Sequence, residues 1–370
     1  MAMPSHPSMV AEHLSSVSRG QPGAEHVPPR LDDVTLLVNR ELASVERWLS
    51  EALARESSCA IAASDLIRAG GKRVRPAIVL IATRLVPGKL VSTDHALGLA
   101  ASVEMLHTAT LLHDDVIDEA PLRRGKPSAR MLWGNPVSVI GGDLLMVRAL
   151  NVISSLERPH LDRLTVQTLQ ELVFGEVEQL ERRGCLEMDV DTFERIASRK
   201  TASLFALAAV GGAYLAGAED PTLDILRDFA VTAGLAFQLD DDLLDLCSTP
   251  EAIGKAVGQD LATGSVTLPV ADVLDREPSL RAAIAEHLAE GNREPLPTWI
   301  SRRLLELAQH EGVLDRCRNL VRAYGKRSLA ALARLDASTE RRALETLVEL
   351  LVWRSVGQHE VSDMGVPRRV

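Results

Sequence analysis

Residues 97–118 read LGLAASVEMLHTATLLHDDVID, an almost continuous apolar run that ends in an Asp-Asp-x-x-Asp cluster. If the run is helical, apolar residues occupy nearly every face, and such a helix lies in the centre of a large bundle. Asp114 and Asp118 are four residues apart, so they share one face of that helix. The stretch therefore predicts a buried central helix that presents carboxylates near its C-terminal end.

A second stretch, FQLDDDLLD at 237–245, has the same form and follows an equally apolar segment at 229–239. Asp241 and Asp245 share a face, as Asp114 and Asp118 do, and like charges at that spacing repel each other. A hard divalent cation would relieve the repulsion. Mg²⁺ suits this role, because proteins hold it with one or two carboxylates plus substrate phosphates. A single cluster is as easily a solvated helix end, but two matching clusters on apolar helices favour a metal site.

The rest of the chain is also helical in pattern, with apolar residues at three- and four-residue steps. Helices are predicted at 31–53, 92–118, 136–157, 161–184, 191–217, 222–247, 266–288, 298–335 and 338–358. No stretch shows sustained strand-like alternation. The sequence predicts one all-α domain of ten or more helices over 31–360. Residues 1–30, rich in Pro, Ser and His, are predicted to be a disordered tail, and 361–370 a short C-terminal tail.

Composition sets limits on the class of protein. The 370 residues are 46% apolar, 25% charged and 3% aromatic, with a net charge of −10, which excludes a wholly disordered chain and argues against nucleic-acid binding. Four widely spaced cysteines form no CxxC pair, as expected in a reducing compartment. The longest uncharged apolar run, Leu204 to Ala218, is shorter than the roughly 18 residues of a membrane span. We expect a cytoplasmic protein with no transmembrane segment and no signal peptide.

Basic residues cluster beside the aspartates, and several follow glycines. The clusters are GGKRVRP at 70–76, Arg123-Arg124-Gly125-Lys126, Lys200-Thr201 and Gly254-Lys255. Arg and Lys bind phosphate oxygens, and glycine lets the backbone approach them. Basic clusters are usually solvated surface, but their positions here favour a diphosphate site. Metal, cations and apolar walls together suit the ionisation of a diphosphate ester beside an apolar chain.

These motifs resemble those of the trans-type (E-type) polyprenyl diphosphate synthases, medium- and long-chain members above all, over residues 31–360. The resemblance rests on GGKRVRP (70–76), HTATLLHDDVIDEAPLRRGKPS (107–128), GGDLL (141–145), GEVEQL (175–180), KTASLF (200–205) and FQLDDDLLD with GKAVGQDLATGSVTLP (237–269). It implies an isoprenoid synthase type I helical bundle with a central substrate cavity, usually a homodimer. The implied reaction condenses isopentenyl diphosphate with geranyl, farnesyl or geranylgeranyl diphosphate to give an all-trans polyprenyl diphosphate.

The resemblance also implies roles for individual residues and three Mg²⁺ ions, which Mn²⁺ could replace. The catalytic set is Asp114, Asp115, Asp118, Asp241, Asp242, Asp245 and Lys200, with Asp114, Asp118, Asp241 and Asp245 as metal ligands and Asp115 as a ligand or a support. Allylic diphosphate would be held by Arg123, Lys200, Thr201, Gln238 and Lys255. Isopentenyl diphosphate would be held by Lys72, Arg75, His107 and Arg124. A lone histidine on an apolar helix is more often a core residue, so His107 enters only through the motif.

One position departs from the pattern. The family usually reads Gly-Lys-x-Thr-Leu-Pro where this chain has Gly264-Ser265-Val266-Thr267-Leu268-Pro269. In the family that lysine commonly helps to bind the allylic diphosphate, and Ser265 has no charge to offer. Two interpretations remain open. In the first, the allylic diphosphate site is weaker and Lys255 and Lys200 compensate. In the second, the substitution alters substrate choice or creates a requirement for a partner.

Three residues before the first aspartate cluster are expected to influence the length of the product, and all three are small or aliphatic. Thr110 and Ala109 lie about one turn, 5.4 Å, below the first aspartates, and Leu106 lies one turn further. In the resembled family, bulky aromatics at the first two positions stop growth at fifteen carbons. We expect a product of twenty carbons or more, with thirty to fifty favoured and the floor of the pocket left open.

Three alternatives remain from sequence. A class I terpene cyclase would usually lack a second diphosphate site and would line its pocket with aromatics, unlike a chain carrying Lys72, Arg75 and Arg124. A non-catalytic subunit of a heteromeric synthase typically loses aspartates, which are complete here. A structural helical protein has no reason to present two like-charged clusters to an apolar core.

Overall fold

The computed structural model describes residues 28–52, 57–69, 71, 73–123, 126–247, 261, 264–289 and 296–356. The first helices are α1 (Pro28–Ala52), α2 (Ser58–Arg68), α3 (Val74–Ala82) and α4 (Thr93–Ile117). A short antiparallel hairpin, β1 (Leu122–Arg123) and β2 (Lys126–Pro127), precedes α5 (Ala129–Trp133), α6 (Asn135–Ser155), α7 (Pro159–Glu181) and α8 (Val190–Ala197). A π-helix (Ser198–Ala202) joins α8 to α9 (Ser203–Leu215), and α10 is Asp220–Cys247. The last elements are α11 (Leu268–Leu274), α12 (Pro278–Ala289), α13 (Thr298–His310), α14 (Val313–Leu332) and α15 (Thr339–Val356).

The all-α prediction is confirmed over these residues, and the three most apolar segments form the centre of the bundle. Leu99, Met105 and Leu106 of α4 are fully buried, as are Phe205 of α9 and Leu239 of α10. Helix α9 packs against α3, α4 and α10, so the apolar helices bury one another. Aspartates near the C-terminal ends of α4 and α10 line one cavity beside this core.

Several predicted boundaries were wrong. The segment 266–288 divides into α11 and α12 at Asp275–Glu277, just before Pro278, and Pro favours the first turn of a new helix. The segment 298–335 divides at Gly312, whose φ of 67° is left-handed and ends a right-handed helix. Helix α1 begins at Pro28, inside the predicted tail. Residues 1–27 and 357–370 lie outside the described part of the chain, and the tail predictions for them stay predictions.

Helix α6 is the one described helix that is long and apolar enough to cross a membrane by length and composition, with a mean hydropathy of 1.5. One side of it packs along α4 and α2, as a helix of a bundle does. Only 33% of the apolar window is buried within this chain. This is weak evidence for a span, and the expected cytoplasmic location stays a prediction.

Candidate active site

A cavity of about 350 Å³ opens between α4, α7, α8, α10 and the segment 265–268. Asp114 and Asp118 of α4 line it on one wall, and Asp241 and Asp242 of α10 line the opposite wall. The cavity is therefore lined by two members of each aspartate cluster that the sequence singled out, together with the cations Arg75, Arg123, Arg182 and Lys200.

The first cluster divides between the cavity and the core. Asp114 and Asp118 share a helix face and reach the cavity, whereas Asp115 is turned away from it and is fully buried. Arg123 of β1 donates to Asp115 Oδ1 from Nε at 2.8 Å and from Nη2 at 2.6 Å. The hairpin after α4 thus folds back so that Arg123 neutralises Asp115 and still lines the cavity.

Asp114 is surrounded by charged groups of both signs. The pKa of Asp114 is raised to about 7, with burial as the largest cause; the charges of Glu176 and Asp118 also raise it, while those of Lys200 and Arg123 act in the opposite direction. Two carboxylates four residues apart in a buried setting are stabilised by a cation between them. The donor set is all oxygen, which suits Mg²⁺.

The second cluster is connected to the π-helix by hydrogen bonds. Thr201 Oγ1 donates to Gln238 Oε1 at 2.6 Å, and Gln238 Nε2 donates to Asp242 Oδ1 at 2.9 Å. Asp245, one turn beyond Asp241, is half-buried and is not among the residues that line the cavity. Asp240 is fully buried. Of the three predicted aspartates of α10, two face the cavity directly.

The π-helix carries the neighbouring residues Lys200 and Thr201, and both line the cavity. Glycines let the adjacent helices approach this bulge. A Cβ on Gly175 of α7 would lie 2.7 Å from Lys200 Cγ, and a Cβ on Gly234 of α10 would lie 2.6 Å from Ala202 Cα. The close packing fixes the position of Lys200.

Lys200 is held by two residues of α7 to which the sequence motifs assigned no role. Its ammonium pairs with Glu176 and donates to Gln179 Oε1 at 2.8 Å. Glu176 and Gln179 are one turn apart on α7, inside the GEVEQL motif. Their spacing, with one acidic and one amide residue on the same face, was the signal that could have identified them.

Arg75 lies at the inner part of the cavity. Its guanidinium carbon is 4.7 Å from the ring centre of Phe205 and 5.9 Å from that of Phe237. Burial lowers its pKa to about 10, so Arg75 remains a cation at neutral pH. Its buried Nε has no hydrogen-bond partner in the described part of the chain. A buried cation of this kind fits an anionic ligand.

The turn before Arg75 is fixed by its neighbour Arg73. Arg73 has a left-handed φ of 48°, and its guanidinium binds Glu46 of α1 and Glu104 of α4 and donates to the carbonyl of Ile67 at 2.8 Å. Three helices are therefore tied to the GGKRVRP turn. His107 also lines the cavity. Lys72, Arg124 and Lys255 lie outside the described residues, so their roles stay predictions.

The three predicted chain-length residues lie in two environments. Thr110 lines the cavity and donates to the carbonyl of His107 at 2.8 Å. Ala109 and Leu106 are fully buried and are not among the lining residues. The helical face that carries Asp114 continues through Thr110 and His107, while Ala109 and Leu106 lie on the face that packs into the bundle.

No three Asp, Glu, His or Cys side chains among the described residues lie close enough together to form a complete metal centre. The carboxylates are arranged instead as pairs on opposite walls. This fits ions whose coordination is completed by water and by phosphate oxygens of a substrate. The fold and the cavity together define a class: the α-helical synthases that act on isoprenoid diphosphates.

Comparison with known proteins identifies the family within this class. The family described as Polyprenyl synthetase matches residues 56–296. The all-trans-nonaprenyl-diphosphate synthase (geranyl-diphosphate specific) of Rhodobacter capsulatus is 36% identical over 324 residues, which are 87% of this chain and 97% of that protein. Heptaprenyl diphosphate synthase component 2 of Geobacillus stearothermophilus is 39% identical over 246 residues, 66% of this chain and 76% of that protein.

A crystal structure of a polyprenyl synthase from Caulobacter crescentus CB15, complexed with calcium and isoprenyl diphosphate, has the same fold. Its TM-score is 0.80 at 37% identity, and the match covers 87% of this chain and 97% of that one. The chain belongs to the polyprenyl synthetase family and is a prenyltransferase, as the sequence predicted. The family is generally metal-dependent. The terpene cyclase and non-catalytic subunit alternatives are not favoured.

Proposed function

We propose that this chain condenses isopentenyl diphosphate with an allylic diphosphate and makes an all-trans polyprenyl diphosphate of thirty to fifty carbons. The observation that carries the proposal is the pair of aspartate walls, Asp114 with Asp118 and Asp241 with Asp242, around one cavity that is also lined by four cations. The printed names of the relatives, nonaprenyl and heptaprenyl synthases, support a long-chain product. Geranyl, farnesyl and geranylgeranyl diphosphates are the primers we expect.

The proposed cofactor is Mg²⁺, with three ions per site and Mn²⁺ as a substitute. Asp114, Asp118, Asp241 and Asp245 would hold the ions, and Asp115 supports the first wall through Arg123. When bound, the ions neutralise the charge that develops on the leaving diphosphate. Asp245 lies one turn beyond Asp241 on the same face of α10 and is not among the residues that line the cavity.

The remaining polar residues would bind the two diphosphate substrates at separate positions. Arg123, Lys200, Thr201 and Gln238, with Lys255, would hold the allylic diphosphate near the aspartates. Arg75 and His107, with Lys72 and Arg124, would hold isopentenyl diphosphate. This division agrees with the positions of Lys200 and Thr201 beside α10 and of Arg75 against the two phenylalanines.

The chain's own residues account for the remaining needs of the reaction. The allylic carbon–oxygen bond breaks as diphosphate leaves, and the isopentenyl double bond attacks the allylic cation. Phe237, Leu111 and Leu204 line the cavity and exclude water that would otherwise capture the cation. The proton lost in the last step would go to the released diphosphate. Thr110 leaves room below the aspartates for the growing chain.

We also propose that the protein is a homodimer through α6 and α7. Val166, Val173 and Val177 recur on one face of α7 and are 59%, 59% and 43% exposed. Val139, Ile140 and Val147 of α6 are also exposed. Apolar strips of this extent on adjacent helices mark an association surface. A second copy of the chain fits because a self-complementary face suffices for a two-fold dimer.

The decisive assay uses purified protein, Mg²⁺, labelled isopentenyl diphosphate and, separately, ten-, fifteen- and twenty-carbon primers. Products are dephosphorylated and sized by chromatography. A ladder that ends at thirty carbons or beyond supports the proposal. A hydrocarbon formed without isopentenyl diphosphate would contradict it in favour of a cyclase, and no incorporation with any primer would point to a missing partner subunit.

A further inference from the structure

The loop that follows α7 places a cation against the first aspartate cluster. Arg183 Nη2 donates to Asp118 Oδ1 at 2.8 Å and to the carbonyl of Ile117 at 3.2 Å. Asp118 caps α4 and lines the cavity, whereas Arg183 is not itself a lining residue, so its guanidinium lies behind Asp118 and at the negative end of the helix dipole. Neither the sequence motifs nor the proposed reaction assigns a role to Arg183.

The same loop is joined to the segment in which the chain departs from the family pattern. Gly184 N donates to the carbonyl of Gly264 at 2.9 Å. Gly264 has a φ of +83°, and a Cβ there would lie 3.0 Å from Gly184 N and 3.7 Å from Arg183 Cβ. The backbone next to Ser265 is therefore fixed directly beside Arg183.

Ser265 contributes no charge at this wall of the cavity. Its Oγ is buried, lines the cavity and has no hydrogen-bond partner in the described part of the chain. Arg182 lines the cavity too, and its Nη2 donates to the carbonyl of Glu187 at 2.6 Å, which holds the loop in place. Positive charge at this wall comes from the loop after α7 and not from residue 265.

We propose that Arg183 is a diphosphate-positioning residue that supplies the positive charge missing at Ser265 and neutralises Asp118 while no metal is bound. A guanidinium has five N–H donors, and the buried Nε of Arg183 has no partner among the described residues, so donors remain for a phosphate oxygen. When Asp118 binds a metal ion, the Arg183 side chain moves from the Asp118 carboxylate to the neighbouring diphosphate.

This inference rests on the proposed function, so its test separates the two. Wild-type protein is assayed first for chain elongation, which decides the proposed function alone. Independently of activity, Mn²⁺ binding is followed by electron paramagnetic resonance with and without inorganic pyrophosphate, in wild type, R183Q, R183K, S265K and the double variant R183Q/S265K. R227Q, which removes an exposed partner of Asp224 on α10, is the matched control.

In R183Q, the KM for the allylic primer should rise about tenfold or more, as expected for loss of hydrogen bonds to a charged group, while the KM for isopentenyl diphosphate stays unchanged. Without pyrophosphate, R183Q should bind Mn²⁺ about threefold more tightly, since no guanidinium competes for Asp118. With pyrophosphate, it should bind Mn²⁺ less tightly than wild type. A purely structural role would not reverse the sign in this way.

The double variant R183Q/S265K is the most discriminating test of the proposal. Because the S265K substitution restores positive charge at the same wall, R183Q/S265K should recover most of the primer affinity, and the two substitutions should be non-additive. R183K should lie near wild type, and R227Q should match wild type throughout. Equal Mn²⁺–pyrophosphate binding in R183Q and wild type, or strictly additive effects in the double variant, would overturn the proposal. If R183Q does not fold, R183M and R183M/S265K take its place in the same measurements, and the same two outcomes decide the proposal.

Discussion

Arg123 holds Asp115 by two donors on a single carboxylate oxygen, at 2.8 and 2.6 Å, while Asp115 itself is fully buried. The middle aspartate of the cluster is thus a support for the cation that lines the cavity. Its neighbours Asp114 and Asp118 face the other way, toward the proposed metal ions. One Asp-Asp-x-x-Asp motif therefore serves two purposes because consecutive residues on a helix point about 100° apart.

This division predicts different consequences for the three aspartates. D115N should leave Mn²⁺ binding in the presence of pyrophosphate within about threefold of wild type but lower kcat by about tenfold or more, because Arg123 loses a charged partner. D114N and D118N should lose Mn²⁺ binding itself. Electron paramagnetic resonance of Mn²⁺ and steady-state kinetics distinguish the two classes, and equal loss of Mn²⁺ in all three variants would contradict the assignment.

The raised pKa of Asp114 predicts how stability changes with pH. Its pKa of about 7 in the folded protein exceeds the ordinary value of 3.8, so its contribution to stability is complete below pH 3.8 and is lost as the pH rises through about 7. In EDTA, D114N should therefore raise Tm more at pH 8 than at pH 5, even though the variant is inactive. Function here opposes stability, as is common for active-site charges.

Asp224 offers a matched comparison for this measurement, because it lies on an exposed face of α10 and pairs with Arg227. D224N should shift Tm by the same small amount at both pH values. An equal gain for D114N at pH 5 and pH 8 would show that burial and neighbouring carboxylates do not raise the pKa of Asp114.

The sequence predicted the all-α class and the two aspartate helices, and it singled out the cavity-lining cations Arg75, Arg123 and Lys200, because each depends on local periodicity and residue chemistry. It did not predict the π-helix, since a one-residue bulge leaves no trace in an apolar pattern. Nor did it predict that Ala109 packs away from the cavity beside Thr110, because the choice of face depends on which helices surround α4. Arg183 reaches Asp118 from the loop after α7, and this contact depends on tertiary packing, which spacing within one segment cannot supply.

The packing around the π-helix gives a stability prediction. A Cβ on Gly234 would lie 2.6 Å from both Cα and Cβ of Ala202, so α10 must move for alanine to fit. G234A should lower the free energy of unfolding by about 2 kcal/mol or more in urea titration, although alanine favours helix over glycine. G98A on α4 is the comparison, since its nearest neighbour is a movable Val152 methyl at 3.3 Å. A neutral G234A would contradict the close approach.

Product length should depend on the size of the side chain at position 110, and not on the size of side chains that pack into the core. The T110F ring would project into the cavity below Asp114, because Thr110 lines that space. We expect T110F to shorten the longest product by one or more five-carbon units, with little change in the first condensation. T110V, which keeps the size of the side chain, should retain the wild-type product, and the dephosphorylated products of both variants are sized on the same column.

Comparing the products of T110F and wild type also locates the end of the cavity that limits chain growth. If T110F and wild type give the same ladder, the growing chain leaves along another path and the limit lies elsewhere, for example at half-buried Met146 of α6. Ala109 is a poor site for the same experiment. It is fully buried in the core, so a phenylalanine there would be expected to cost about 1–3 kcal/mol through overpacking and would confuse loss of folding with loss of space.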